Sequence, residues 1–316
     1  MDKDSKILTA LVSREWLFLR AQIEKMSKIK LTAGEGTEAE VDLKGATLTK
    51  LRIAQNDLIK YPLKGDDPAK GYPSALLFPF PNRVRDGRYT FDGTEYSLPI
   101  NEVDNHNAIH GLIAFEHFQV IEQEESKVVL EYRYLGEIEG YPFPYAFKIE
   151  YALKSDALAI QVEATNTGET DMPCGFGWHP YFGFDGQAIG EMTVKAPRRN
   201  KLELSERLIP TGEFETERSG LIPLKNTILD NIFVLDGKTT GVSEIELRYK
   251  KKKLIVSQKT GKNKLNHFIL YTPATRDCIA IEPQSCSTNA FNNADGLIVL
   301  KPEKKIKFEI NVKLEL

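Results

Sequence analysis

Five irregular stretches of this chain hold residues that could move protons or bind polar groups, and one centres on a histidine. GFGWHPYF, residues 175–182, sets His179 between Trp178 and Pro180, with Tyr181 and Phe182 behind. An imidazole titrates near neutral pH and can give or take a proton once positioned. In aromatic company it is either a packed core residue or a proton carrier. Gly175 and Gly177 would leave room in front of it, and the rings, Trp178 among them, could cover the apolar face of a sugar.

A second candidate is Glu282, in IAIEPQSCSTNAFNN (279–293). An apolar strand from Cys278 to Ile281 is expected to end at Glu282-Pro283. A carboxylate there is poorly solvated, so its pKa should rise toward that of a general base. Arg83 follows Asn82 in FPFPNRVRDGRYTFDG (78–93) and offers a fork of donors for hydroxyls or a carboxylate. NHNAIHG (105–111) holds His106 and His110 four residues apart. On a helix that spacing would make a metal pair, but the Asn and Gly neighbours favour a loop. No Glu follows His106 directly and no further His or Cys lies nearby, so no metal is expected and His110 reads as a hydrogen-bonding group. Asp230 in ILDNIF (228–233) is either a turn former or an acceptor aimed into a pocket.

The scaffold that must position these residues reads as β nearly throughout. Phe147, Ile149, Tyr151 and Leu153 alternate with polar residues, a turn follows at Ser155-Asp156, and alternation resumes from Leu158 to Ala164. That is a hairpin with one buried face. Residues 306–316 alternate in the same way, as do shorter runs at 39–53, 127–135 and 244–256, with Gly45 marking a turn or bulge. No long helical period follows residue 30. Many antiparallel strands without an internal repeat or linker imply one all-β sandwich or barrel.

Bulk properties narrow the partner classes. The chain has 316 residues, a net charge of −3 and a sequence pI near 6.1, so no basic surplus exists to hold nucleic acid. No apolar run approaches bilayer length, so no membrane is expected as a partner. Three cysteines, an odd number with no CxxC pair, suggest reduced thiols in the cytoplasm. Residues 1–25 read as an extension, with an amphipathic helix over 7–26, ahead of a domain spanning 26–316. No phosphate loop, dinucleotide fingerprint or nucleophile elbow occurs.

Taken in order, PNRVRDG with its following hairpin, NAIHG, GWHPYF, LDNIF and IEP resemble the aldose 1-epimerase (galactose mutarotase) family over about residues 30–316. The resemblance implies a large antiparallel β-supersandwich and cofactor-free interconversion of the α and β anomers of an aldose. It implies His179 as general acid, Glu282 as general base, and Arg83, His110 and Asp230 as sugar ligands; Asn82, beside Arg83, is expected to bind the sugar as well. Trp178 is added as a stacking or pocket-wall residue. For that assignment His179 must be protonated while Glu282 is ionised, and Asp230, if close, would raise the His179 pKa. Arg85 and Arg88, if they face the site, would point to a phosphorylated or acidic sugar and so to a hexose-6-phosphate 1-epimerase. A non-catalytic sugar-binding domain needs the aromatics and Arg83 but not the acid–base pair. A glycoside hydrolase needs two carboxylates, for which Glu282 and Asp230 are available. Which sugar, and which oligomeric state, the sequence does not set.

Overall fold

The computed structural model describes residues 27–63, 71–184, 186–236 and 241–316. The extension expected over residues 1–25, and the helix over 7–26, lie outside the described residues. Every strand pair within the sheets is antiparallel. Two large sheets dominate. One has nine strands, with Tyr145–Leu153, Ala157–Asn166, Lys305–Glu315 and Lys252–Thr260 adjacent at its centre. The other has eight, among them Asp230–Leu235, His267–Tyr271, Ile279–Gln284, Gly177–His179 and Ala75–Leu77 in that order. The expectation of one all-β antiparallel supersandwich is met.

The alternation read from sequence is the alternation of burial. Phe147, Ile149, Tyr151 and Leu153 all point inward, and Lys148, Glu150 and Ala152 between them face outward. This follows from the two-residue side-chain period of a strand. Gly45 sits at positive φ in the turn between Glu38–Asp42 and Thr47–Ile53. Asp92-Gly93 closes the hairpin of Arg88–Phe91 with Thr94–Ser97, both residues at positive φ as a tight two-residue turn requires.

The inner faces of the two sheets make the core. From the eight-stranded sheet come Trp178, Phe268, Leu270, Ile279 and Ile281, and from the nine-stranded sheet Phe147, Ile160, Val256 and Phe308. Phe176 joins them, stacked on Phe308 with ring centroids 5.1 Å apart. Phe268, Leu270, Ile279 and Ile281 occupy one side of their strands, so Ile269, Tyr271, Ala280 and Glu282 must emerge on the other. That outer face of the eight-stranded sheet is where the site lies. Among the described residues, no helix is long and apolar enough to cross a membrane.

Candidate active site

Register brings the proton carriers together. Gly177 bridges Gln284, and Tyr181 bridges Ala280 on the same strand. His179 and Glu282 lie midway between these bridges and therefore face each other across neighbouring strands. Side chains so placed are the closest cross-strand neighbours in a sheet. The result is a contact of 3.5 Å between His179 Nε2 and Glu282 Oε1, with both side chains nearly fully buried. On the next strand, Ile269 pairs with Glu282 and Tyr271 with Ala280. Asp230 then pairs with Tyr271. Two adjacent rows of the sheet thus supply the floor of one cavity of ≈ 590 Å3, a size that suits a monosaccharide.

The cavity walls come from loops. Arg83 pairs with Ile109 in a two-stranded ribbon, and the Asn82 carbonyl accepts the His110 backbone N–H at 2.9 Å. Asn82 and His110 both hold positive φ, at 57° and 66°. For histidine this is an uncommon conformation, maintained here by the ribbon and by Gly111. A Cβ on Gly111 would lie 2.3 Å from the Phe78 carbonyl oxygen, which explains the glycine that closes NAIHG. Tyr72 tilts against His110 at 4.6 Å between ring centroids, and His110 meets His179 edge-on at 5.3 Å. Tyr181 stacks on His179 at 5.0 Å and is fixed by a hydrogen bond from its hydroxyl to the Gly71 carbonyl at 3.1 Å.

The cavity therefore gathers Asn82, Arg83, His110, His179, Asp230 and Glu282. Trp178 is a correction. It does not line the cavity but is fully buried in the core, with Phe182 edge-on at 6.0 Å. As the strand neighbour of His179 it must project to the opposite face. Tyr181, two residues beyond His179, takes the wall position instead. Gly175 and Gly177 do not open space before His179 either. A Cβ on them would strike Cys286 Sγ at 2.3 Å and Pro81 Cβ at 2.8 Å, so they permit close packing. Glu282 is not the end of its strand, which continues through Pro283 to Gln284. His106 is exposed and bound to Asp86 at 3.1 Å, so it shares no site with His110. Arg85 and Arg88 are exposed, near Asp86 and Glu95 respectively, and neither lines the cavity.

Burial governs the protonation of the central pair. It lowers the His179 pKa to about 4 and raises that of Glu282 to about 8, where the Asp230 charge adds to the rise. The expected influence of Asp230 thus falls on Glu282. Asp230 is itself raised by burial, against the pull of Arg83. Between those two values the pair holds one proton. Placed on Glu282 it leaves two neutral groups, and placed on His179 it makes an ion pair. The gap between about 8 and about 4 is worth about 5 kcal/mol. Attraction across 3.5 Å is also about 5 kcal/mol at an effective dielectric of ~20. Burial thus favours the neutral placement, and charge attraction across the short contact opposes it.

Several site residues were not read from the sequence. Glu102 lines the cavity and binds Arg83. Tyr72 and Tyr271 add aromatic walls. Gln284 donates to Glu282 Oε2 at 3.3 Å. Only Gln284 carried a signal, since two residues along a strand from Glu282 it must share its face.

The family description "Aldose 1-epimerase" matches residues 27–313. The chain belongs to the aldose 1-epimerase family. Among relatives of this aldose 1-epimerase family member, the uncharacterized protein YihR of Escherichia coli K12 is 28% identical over 293 residues, 90% of this chain and 92% of that protein. Galactose mutarotase of Rattus norvegicus is 31% identical over 183 residues, about half of each protein at 53% and 52%. A galactose mutarotase-like protein from Clostridium acetobutylicum superposes with a TM-score of 0.78 at 22% identity, covering 91% of this chain and 95% of its own. That likeness shows the fold.

Proposed function

We propose that this protein is an aldose 1-epimerase that interconverts α and β anomers by acid–base ring opening and closure. The observation that carries the reading is the His179–Glu282 contact of 3.5 Å on the floor of one sugar-sized cavity. With the proton on His179, Glu282 removes the proton of the C1 hydroxyl and His179 delivers its own to the ring oxygen O5. C1–O5 breaks and C1 becomes an aldehyde. Rotation about C1–C2 presents the other face, and closure reverses both transfers. Each positioned transfer contributes roughly 10²–10⁴-fold. Asn82, Arg83, His110 and Asp230 hold the hydroxyls, and Tyr72, Tyr181 and Tyr271 provide apolar surface for the ring C–H groups.

The protonation preferred on burial alone supports a second reading of the same pair, with Glu282 as acid and His179 as base. The total proton count is identical, so the two readings share one pH dependence. A binding-only domain has no need of an acid and a base 3.5 Å apart, and a glycosidase built on Asp230 and Glu282 leaves His179 without a task. The position of Arg85 and Arg88 outside the cavity favours an uncharged aldose over a hexose 6-phosphate. The free thiols of Cys174, Cys278 and Cys286 support a reducing compartment such as the cytoplasm.

The test is NMR anomer exchange over a panel of aldoses and their 6-phosphates. Accelerated exchange of at least one uncharged aldose is expected. Saturable binding without acceleration of any sugar would establish the binding-domain reading instead.

A further inference from the structure

Arg83 is the one Lys or Arg among the described cavity-lining residues, yet it does not present a free charge. Glu102, from the rim loop, accepts three hydrogen bonds from it. Arg83 Nε donates to both carboxylate oxygens at 3.0 and 2.9 Å, and Nη2 donates to Oε1 at 2.7 Å. Nη1 donates to Asn82 Oδ1 at 3.1 Å. Glu102 is held in turn, because Asn107 Nδ2 donates to Oε2 at 2.8 Å and Asn105 Nδ2 to Oε1 at 3.1 Å. The two charged side chains are only 14% and 18% exposed, so solvent screens the pair weakly. Burial opposes the Glu102 charge, but Arg83 and Asn107 outweigh it and keep the carboxyl below its ordinary range.

We propose that Glu102 is a positioning residue that fixes the Arg83 fork and cancels its charge, so that the site selects uncharged aldoses over sugars bearing a carboxylate or phosphate. This rests on the epimerase reading for its substrate class. A guanidinium fork matches an anion as well as it matches Glu102. With Glu102 already on it, an incoming anion must compete with a carboxylate that three neighbours hold in place. Asp104 and Asp230 also line the cavity and add to the repulsion. A neutral hydroxyl needs only the orientation that Glu102 enforces.

The experiment compares wild type, Glu102→Gln and Glu102→Asp in two arms. Anomer exchange is measured with glucose, glucuronate and glucose 6-phosphate, and thermal unfolding is followed in dilute sulfate against chloride of equal ionic strength. Glu102→Gln should raise KM for glucose with a much smaller change in kcat. The kcat/KM ratio of either anionic sugar to glucose should rise about ten- to a hundredfold, the range for hydrogen bonds to a charged group. Sulfate should stabilise Glu102→Gln and not wild type. Glu102→Asp keeps the charge on a shorter arm, so its KM should rise while its sugar ratio stays at the wild-type value. An unchanged ratio in Glu102→Gln together with no response to sulfate overturns the proposal. If no protein accelerates any sugar, the epimerase reading has failed, and the sulfate arm alone decides the role of Glu102.

Discussion

Nε2 of His179 lies 3.5 Å from Oε1 of Glu282 because bridges on either side, Gly177 to Gln284 and Tyr181 to Ala280, fix them opposite each other. A reacting pair built on two hydrogen-bonded strands is held more firmly than one carried on loops. The sugar ligands on loops, Asn82, Arg83 and His110, are braced by backbone pairing and by Glu102. Each consequence below follows from that arrangement.

The first concerns pH. Activity requires the pair to hold one proton. Above about 8 it loses that proton, and below about 4 it gains a second. Mutarotation corrected for the buffer rate should show a plateau between those limits and fall on both sides. A single limb centred near the ordinary histidine value would show that the pair does not titrate as a unit.

Removing the Glu282 charge should raise stability while it abolishes activity. The folded-state pKa of Glu282 is raised from 4.5 to about 8, so the folded protein holds that proton more tightly than the unfolded chain. Its contribution is full below about 4.5 and is lost as pH rises through about 8. Glu282→Gln cannot ionise and escapes that loss, a gain of up to about 5 kcal/mol. Melting temperatures of the variant should exceed those of wild type at pH 8 and converge with them near pH 5. A constant difference across that range would contradict the burial argument.

The neighbours of Glu282 should move the alkaline limb in opposite directions. Gln284 is fully buried and donates to the ionised carboxylate, so Gln284→Leu should shift the limb to higher pH. Asp230 raises the Glu282 pKa by its charge, so Asp230→Asn should shift the limb lower. Rate profiles of both variants test this, and movement in one common direction would refute it.

Trp178 should matter for stability alone. Trp178→Ala in the core should cost about 3–5 kcal/mol in urea unfolding. Trp178→Phe should cost less, because the buried indole N–H has no partner among the described residues. KM should be unchanged in the phenylalanine variant. A large rise in KM without loss of stability would return Trp178 to the cavity wall.

The sequence made the faces of long strands legible, as Phe147 to Leu153 illustrate, because a two-residue period is local. It also exposed the individual cavity residues, since GWHPYF, NAIHG and IEP interrupt that period. Which distant residues meet was not local information. Nothing near His179 announces that Glu282 lies opposite, because that pairing is set by strands a hundred positions apart. Glu102 was missed for the same reason, hidden in the irregular run NEVDNHN with its partner Arg83 nineteen positions away on a strand. Trp178 was misread by treating nearness in sequence as nearness in space, although adjacent residues on a strand face opposite ways.

The most direct measurement is polarimetry of freshly dissolved α-galactose and α-glucose with wild type, His179→Asn and Glu282→Gln, all shown to be folded. Wild type should speed the approach to anomeric equilibrium for at least one sugar, and each variant should lose about 10²-fold or more of that acceleration. Near-wild-type rates in both variants would contradict the acid–base pair on which this account rests.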